Sequence, residues 1–219
     1  MAVRKVKFSV GEYYHLYNRG NSKQKIFHDQ EDYNRFAALL YACNREENIK
    51  ADDLGKKEDF FHLDQSDACI VAIGAYCLMP NHFHLLINEI IDNGITRFMR
   101  KLCTAYVMYY NKKYKRTGGL FEGKFKSEYL LSDRYLKYIF SYIHLNPVKL
   151  IEPKWRDIGV KNIHGVKRYL NSYKYSSYCD YLGENRKHNS ILNIDRFPKY
   201  FPTKRSFEYE IQNWINFKI

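Results

Sequence analysis

Two histidines two residues apart open an apolar run, Met79-Pro80-Asn81-His82-Phe83-His84-Leu85-Leu86-Ile87. Side chains at i and i+2 of a strand share a face, so His82 and His84 should lie side by side with Phe83 turned away. Two neutral imidazoles set like this can grip one divalent metal ion. Two ligands alone do not complete a zinc, magnesium or manganese site. The best further donor lies in Tyr142-Ile143-His144-Leu145-Asn146-Pro147. On a helix Tyr142 and Asn146 are i and i+4 and share a face. The amide oxygen is a hard ligand, and the phenol beside it is a latent nucleophile. A metal between them and the histidines could hold a phosphate oxygen as a Lewis acid. The tyrosine could then attack phosphorus in line and form a covalent phosphotyrosyl bond.

Other readings of the same residues stand beside this one. Asn146 precedes Pro147, and pre-proline residues avoid the helical region, so the helix is expected to end there. Asn146 could then be a helix C-terminal cap rather than a ligand. Tyr106, Tyr109, Tyr135 and Tyr138 compete with Tyr142 as nucleophiles, and Tyr138 lies one helical turn away from it. His144 is two residues beyond Tyr142, faces elsewhere on a helix and is not assigned as a base. His15 shares a strand face with Tyr13 and Tyr17 and reads as structural.

The elements that must hold these groups follow from periodicity and turn chemistry. Residues 13–18 are rich in β-formers and predict a strand, followed by a glycine loop at 19–22. Residues 29–44 repeat apolar side chains at helical spacing. An apolar strand over 68–78 turns at Pro80-Asn81 and returns over 82–89. A helix is expected over 96–114 and a short basic strand within 121–131. A further helix starts at Ser132 as N-cap and runs to about 145. The order β-α-β-β-α-β predicts an α+β, ferredoxin-like fold: one antiparallel sheet with helices packed on one face. The main domain is expected over 1–150, with a polar insertion at 45–67. Residues 151–219 read as a C-terminal extension packed on it, ending in a short helix near 207–217.

The chain has 219 residues, 45% of them hydrophobic, and a formal net charge of +12. That balance favours an acidic partner, nucleic acid or an anionic membrane surface. No apolar run reaches the ~18–20 residues of a membrane span. Residues 1–10 are basic but lack the apolar stretch of a signal peptide, so a cytosolic, nucleoid-associated chain is expected. The five cysteines include no Cys-x-x-Cys pair, which argues against a thiolate metal site or a disulfide framework. Tyrosines number 21 against two tryptophans. Base–aromatic stacking is worth ~1–3 kcal/mol per base, so a basic, tyrosine-rich chain suits single-stranded nucleic acid. Arg19, Lys23, Lys124 and Lys126 are candidate phosphate contacts, with solvated surface charge as the alternative for each.

Four ordered motifs carry a family resemblance. They are Tyr14-His15-Leu16-Tyr17-Asn18-Arg19-Gly20, then Met79 to Leu86, then Gly123-Lys124-Phe125-Lys126-Ser127, then Tyr142 to Val148. Together they resemble the single-tyrosine HUH transposases of insertion-sequence and REP-associated type, with Lys124 where that family carries arginine. The resemblance covers roughly residues 13–150, and Tyr175-Ser176-Ser177-Tyr178 looks like a recurrent tail element. It implies a ferredoxin-like nuclease that binds, cuts and rejoins single-stranded or hairpin DNA. It also implies that His82, His84 and Asn146 bind Mg²⁺ or Mn²⁺. Tyr142 would be the nucleophile, leaving a 5′-phosphotyrosine and a free 3′-hydroxyl. Relatives act as monomers or as homodimers. The rival readings are a domesticated, non-catalytic nucleic-acid-binding protein, an RNA-binding module and a metal-dependent hydrolase using water. The lack of an aromatic RNP1-like octapeptide counts against the second.

Overall fold

The computed structural model describes residues 7–46 and 69–216. The polar segment expected at 45–67 lies almost wholly outside these residues.

Four strands form one antiparallel sheet: β1 Tyr13–Arg19, β2 Val71–Met79, β3 His82–Glu89 and β4 Lys126–Tyr129, in the order β2-β3-β1-β4. Tyr17 pairs with His84 on one side and Lys126 on the other, while Arg19 pairs with His82. The basic strand is shorter than the sequence suggests, and Lys124 precedes it on an exposed turn whose Gly123 has φ +77°.

Helices α1 Gln30–Ala42 and α2 Gly94–Lys113 share one face of the sheet. Asp29 caps α1 by accepting a hydrogen bond from the Asp32 amide at 3.1 Å. Beneath these helices Leu16, Phe83 and Leu85 pack with Phe36, Phe98 and Leu102 in a dry core. This is the ferredoxin-like arrangement expected, with both of its helices on one side.

The opposite face is covered as well. Every residue of β2 is buried, so its run has apolar side chains on both sides rather than alternating with polar ones. Ala72, Ala75, Cys77 and Met79, with Leu86 of β3, need a second cover. Helix α3 Asp133–His144 supplies it through Leu136, Ile139, Phe140 and Ile143. Packing on one face therefore describes α1 and α2 only; α3 lies across the sheet from them. Ser132 caps α3, its Oγ accepting from the Tyr135 amide at 3.2 Å.

The C-terminal segment comprises α4 Trp155–Ile158, α5 Ile163–Ser172, α6 Tyr178–Tyr181 and α7 Lys204–Asn216, with 3-10 turns between them. It closes the free edge of β2: the Leu78 amide donates to the Tyr175 carbonyl at 2.9 Å and the Ser177 amide to the Tyr76 carbonyl at 3.0 Å. Such edge pairing removes an open strand template. Phe197 lies so close over Gly74 that a Cβ there would meet its ring at 2.7 Å, at the point where the β2–β3 register shifts. Trp155, Val166, Leu170, Phe207 and Ile211 form a further apolar cluster on Leu145 and Val148, just beyond α3. No helix among the described residues is long and apolar enough to cross a membrane.

Candidate active site

Odd-numbered residues of β1 and even-numbered residues of β3 face α3. Near the β2–β3 turn this face changes from apolar to polar: Leu86 gives way to His84 and His82, flanked by His15 and Tyr17 of β1. Helix α3 crosses above them and ends at His144, so Tyr142 sits in its last turn. The Tyr142 ring lies edge-on to His84 and to His15, with both centroids 5.6 Å away. His82 and His84 are 5.0 Å apart, ring to ring.

Asn146 closes the end of the helix and lines the cavity. Helix α3 stops before Pro147 and a 3-10 turn, Asn146–Leu150, follows. The Asn146 amide nitrogen donates to the Tyr142 carbonyl at 2.9 Å, closing the helix end. That leaves its Oδ1 without a hydrogen-bond partner among the described residues, in a side chain that lines the same cavity as Tyr142, His82 and His84. The cavity holds about 290 Å³. Its rim brings in Arg19, Lys23 and Lys126, and adds Lys149 and Glu122. Lys124 does not line it. Arg19 is ion-paired with Glu122, so it meets a phosphate only in competition with that carboxylate.

The two histidines are neutral at pH 7. Burial, then Lys149 and Arg19, push His82 down to about 4. Burial, then His15 and His82, hold His84 well below the ordinary histidine range. Their neighbours also set the tautomers. The Asn81 amide nitrogen donates to the Lys23 carbonyl at 3.2 Å, which turns its Oδ1 toward His82 Nδ1 at 2.6 Å. His82 therefore carries its proton on Nδ1 and offers Nε2. His84 Nδ1 lies 2.9 Å from His15 Nε2, and His15 Nδ1 faces the Glu128 carboxylate at 3.6 Å. A His15 proton on Nδ1, toward the carboxylate, makes His15 Nε2 the acceptor for His84 Nδ1–H, and in that tautomer His84 offers Nε2. Outer partners of this kind fix ring orientation and tautomer at metal-binding histidines. His15 is not placed as a ligand; it lies behind His84, with its Nε2 against His84 Nδ1. Only the β1–β3–β4 register brings Glu128, His15 and His84 into line.

Among the described residues no group of three or more His, Cys, Asp or Glu side chains could hold a metal ion. The donors present are two neutral imidazole nitrogens and one free amide oxygen. They fit a divalent cation that takes its remaining ligands from water or phosphate. The Tyr142 hydroxyl has no hydrogen-bond partner among the described residues, and the Arg156 guanidinium lies over its ring at 4.3 Å. His144 is not part of the site: it is buried, bonded to Ser177 Oγ at 2.7 Å and pushed down to about 3 by burial.

Residues 64–146 match the family model for IS200-like transposases. The matched span includes His82, His84, Tyr142 and Asn146, and leaves out β1 and the C-terminal segment. The chain also superposes on a solved REP-associated tyrosine transposase bound to a REP hairpin. The TM-score is 0.53 at 14% identity, over 84% of this chain and 87% of the other. At that identity the likeness is one of fold. No curated protein matches the chain.

Proposed function

We propose that this chain is a working transposase that cleaves and rejoins single-stranded or hairpin DNA through Tyr142. One observation carries the reading: a tyrosine hydroxyl with no hydrogen-bond partner among the described residues shares a basic-rimmed cavity with His82 and His84. The solved fold neighbour is itself bound to a DNA hairpin.

His82, His84 and Asn146 would hold Mg²⁺ or Mn²⁺, which supplies Lewis-acid charge neutralisation at a non-bridging phosphate oxygen. Lys23, Lys126 and Lys149 hold the strand in the cavity by charge. The end of α3 fixes Tyr142 beside the phosphate, so attack needs little reorganisation. The Tyr142 oxygen bonds to phosphorus as the bond to the 3′ oxygen breaks. The phenolic proton leaves to water, and the departing 3′ oxygen takes one up. A 5′-phosphotyrosine results, and attack by a 3′-hydroxyl reverses the step and rejoins strands without an external energy source.

The test is covalent trapping. Hairpin oligonucleotides labelled 3′ of the cut are incubated with protein and Mn²⁺, then run on denaturing gels. A labelled protein band should form with the wild type and vanish in Tyr142→Phe and His82→Ala. Tight binding with no band for any hairpin would instead support the non-catalytic nucleic-acid binder.

A further inference from the structure

A second groove runs beside the cavity, between α3 and α7. It encloses about 510 Å³ and is lined by Arg134, Tyr135, Lys137, Tyr138, Glu210 and Trp214. Its aromatic rings continue the active site. Tyr138 lies 5.9 Å from Tyr142, 6.0 Å from Tyr135 and 5.0 Å from Trp214, centroid to centroid. Tyr135, Tyr138 and Tyr142 fall at i, i+3 and i+7 of α3, which makes one stripe about 10 Å long. The Tyr135 ring is 37% exposed, and Tyr138 and Trp214 are half-buried.

The groove is built rather than incidental. Trp214 Nε1 donates to Glu210 Oε1 at 3.0 Å, and Glu210 is ion-paired with Lys137 at 2.9 Å. Tyr135 is held from the other side, its hydroxyl donating to Glu128 at 3.1 Å. Both outer rings are thus fixed in orientation. The Lys137 charge is used on Glu210, whereas exposed Arg134 and half-buried Arg156 have no ion pair among the described residues.

We propose that this groove is a binding site for the single-stranded DNA flanking the scissile phosphate. Tyr135, Tyr138 and Trp214 stack on its bases, and Arg134 and Arg156 meet its phosphates. The occupant follows from the chemistry and the place. Rings fixed by their polar edges with accessible faces suit unpaired bases, and every base has such a face. A duplex keeps those faces buried in its own stack. The adjoining cations favour a polyanion, and the stripe leads directly to the nucleophile. The inference rests on the proposed cleavage for its direction, but the site can be tested without it.

Tyr142→Phe protein, which cannot form the covalent bond, is combined with Trp155→Phe. Trp155 is buried with an unpartnered indole nitrogen, so phenylalanine suits its site, and Trp214 becomes the sole tryptophan. This protein is titrated with oligothymidylates of two to eight nucleotides, the matching oligouridylates and a blunt duplex. Quenching of Trp214 by the thymidylates and not by the duplex is expected. Dissociation constants should rise about tenfold on adding Tyr135→Ala and a few-fold on adding Arg134→Ala. Both substitutions lie on exposed surface, so folding is preserved. Unquenched emission, or an affinity indifferent to Tyr135→Ala, would overturn the groove while leaving the trapping result untouched. Preference for uridylates or for the duplex would overturn the assignment to single-stranded DNA. Quenching by thymidylates in a protein that never traps DNA would sink the cleavage reading and keep the groove.

Discussion

Helices α2 and α3 both carry tyrosines at three-to-four spacing, on opposite faces of one sheet, and put them to different use. On α2 the Tyr106 ring is fully buried and its hydroxyl donates to the Ile26 carbonyl. Tyr109 donates to Asp32 at 3.0 Å and receives Lys113 at 3.2 Å. Burial raises both phenols well above their ordinary range. On α3 the Tyr142 hydroxyl is uncommitted and opens on a cavity with His82 and His84. A phenol reacts when its oxygen can reach a phosphate and has no other partner. Tyr106 and Tyr109 are committed to other partners, and Tyr138 lies outside the cavity that holds Tyr142.

The most severe way to break the contrast is to exchange the outcome of two hydroxyl deletions. Tyr142→Phe should lower covalent adduct formation by about a thousandfold or more, whereas Tyr109→Phe should leave its rate unchanged. Adduct formed at wild-type rate by Tyr142→Phe would end the distinction between the helices. Phe83, between the two histidines, points into the α2 face and meets Phe36 at 4.9 Å. Phe83→Ala should cost about 3–5 kcal/mol in urea unfolding, a loss felt in stability rather than in metal affinity. Behind His84, His15→Ala should weaken Mn²⁺ binding about 10–100-fold by calorimetry while the fold is kept. An unchanged affinity would show that the Glu128–His15 pair does not set the His84 tautomer.

The smallest effect sharpens the other side of the comparison. Asp32 is fully buried under α2, and burial alone would raise its carboxyl. The His28 amide, Lys113, Tyr114 and Tyr109 outweigh that and hold it below the usual carboxylate range. Its stabilisation is therefore present above the unfolded value of about 3.9 and is lost as pH falls through the lower folded one. Asp32→Asn should flatten the acid side of the stability curve, read as urea midpoints between neutral pH and pH 3. An acid slope equal to the wild type would remove Asp32 from that role.

Local pattern carried much of the core. The His82–Glu89 strand, the Ser132 cap and the β-α-β-β-α-β order all follow from short-range signals, because capping, alternation and turn chemistry act within a few residues. Lys124 shares a motif with Lys126 but falls on an exposed turn, since strand ends depend on pairing partners rather than on composition. His15 looked structural because its neighbour Glu128 is supplied by another strand, 113 positions along the chain.

By itself, the sequence determined which atoms could do chemistry here: two imidazoles on one strand face, a phenol and an amide one helical turn apart, and a basic chain to meet phosphate. Those are properties of residue type and of spacing along one element. Tertiary structure alone decided which tyrosine opens on the cavity, which groups lie against the histidine rings, and that α3 lies on the face opposite α1 and α2. Each of these depends on strand register and on what the C-terminal segment covers. Contacts between distant positions leave no periodicity in the chain, because they arise only when separate elements compete to bury the same apolar surface and satisfy the same polar groups.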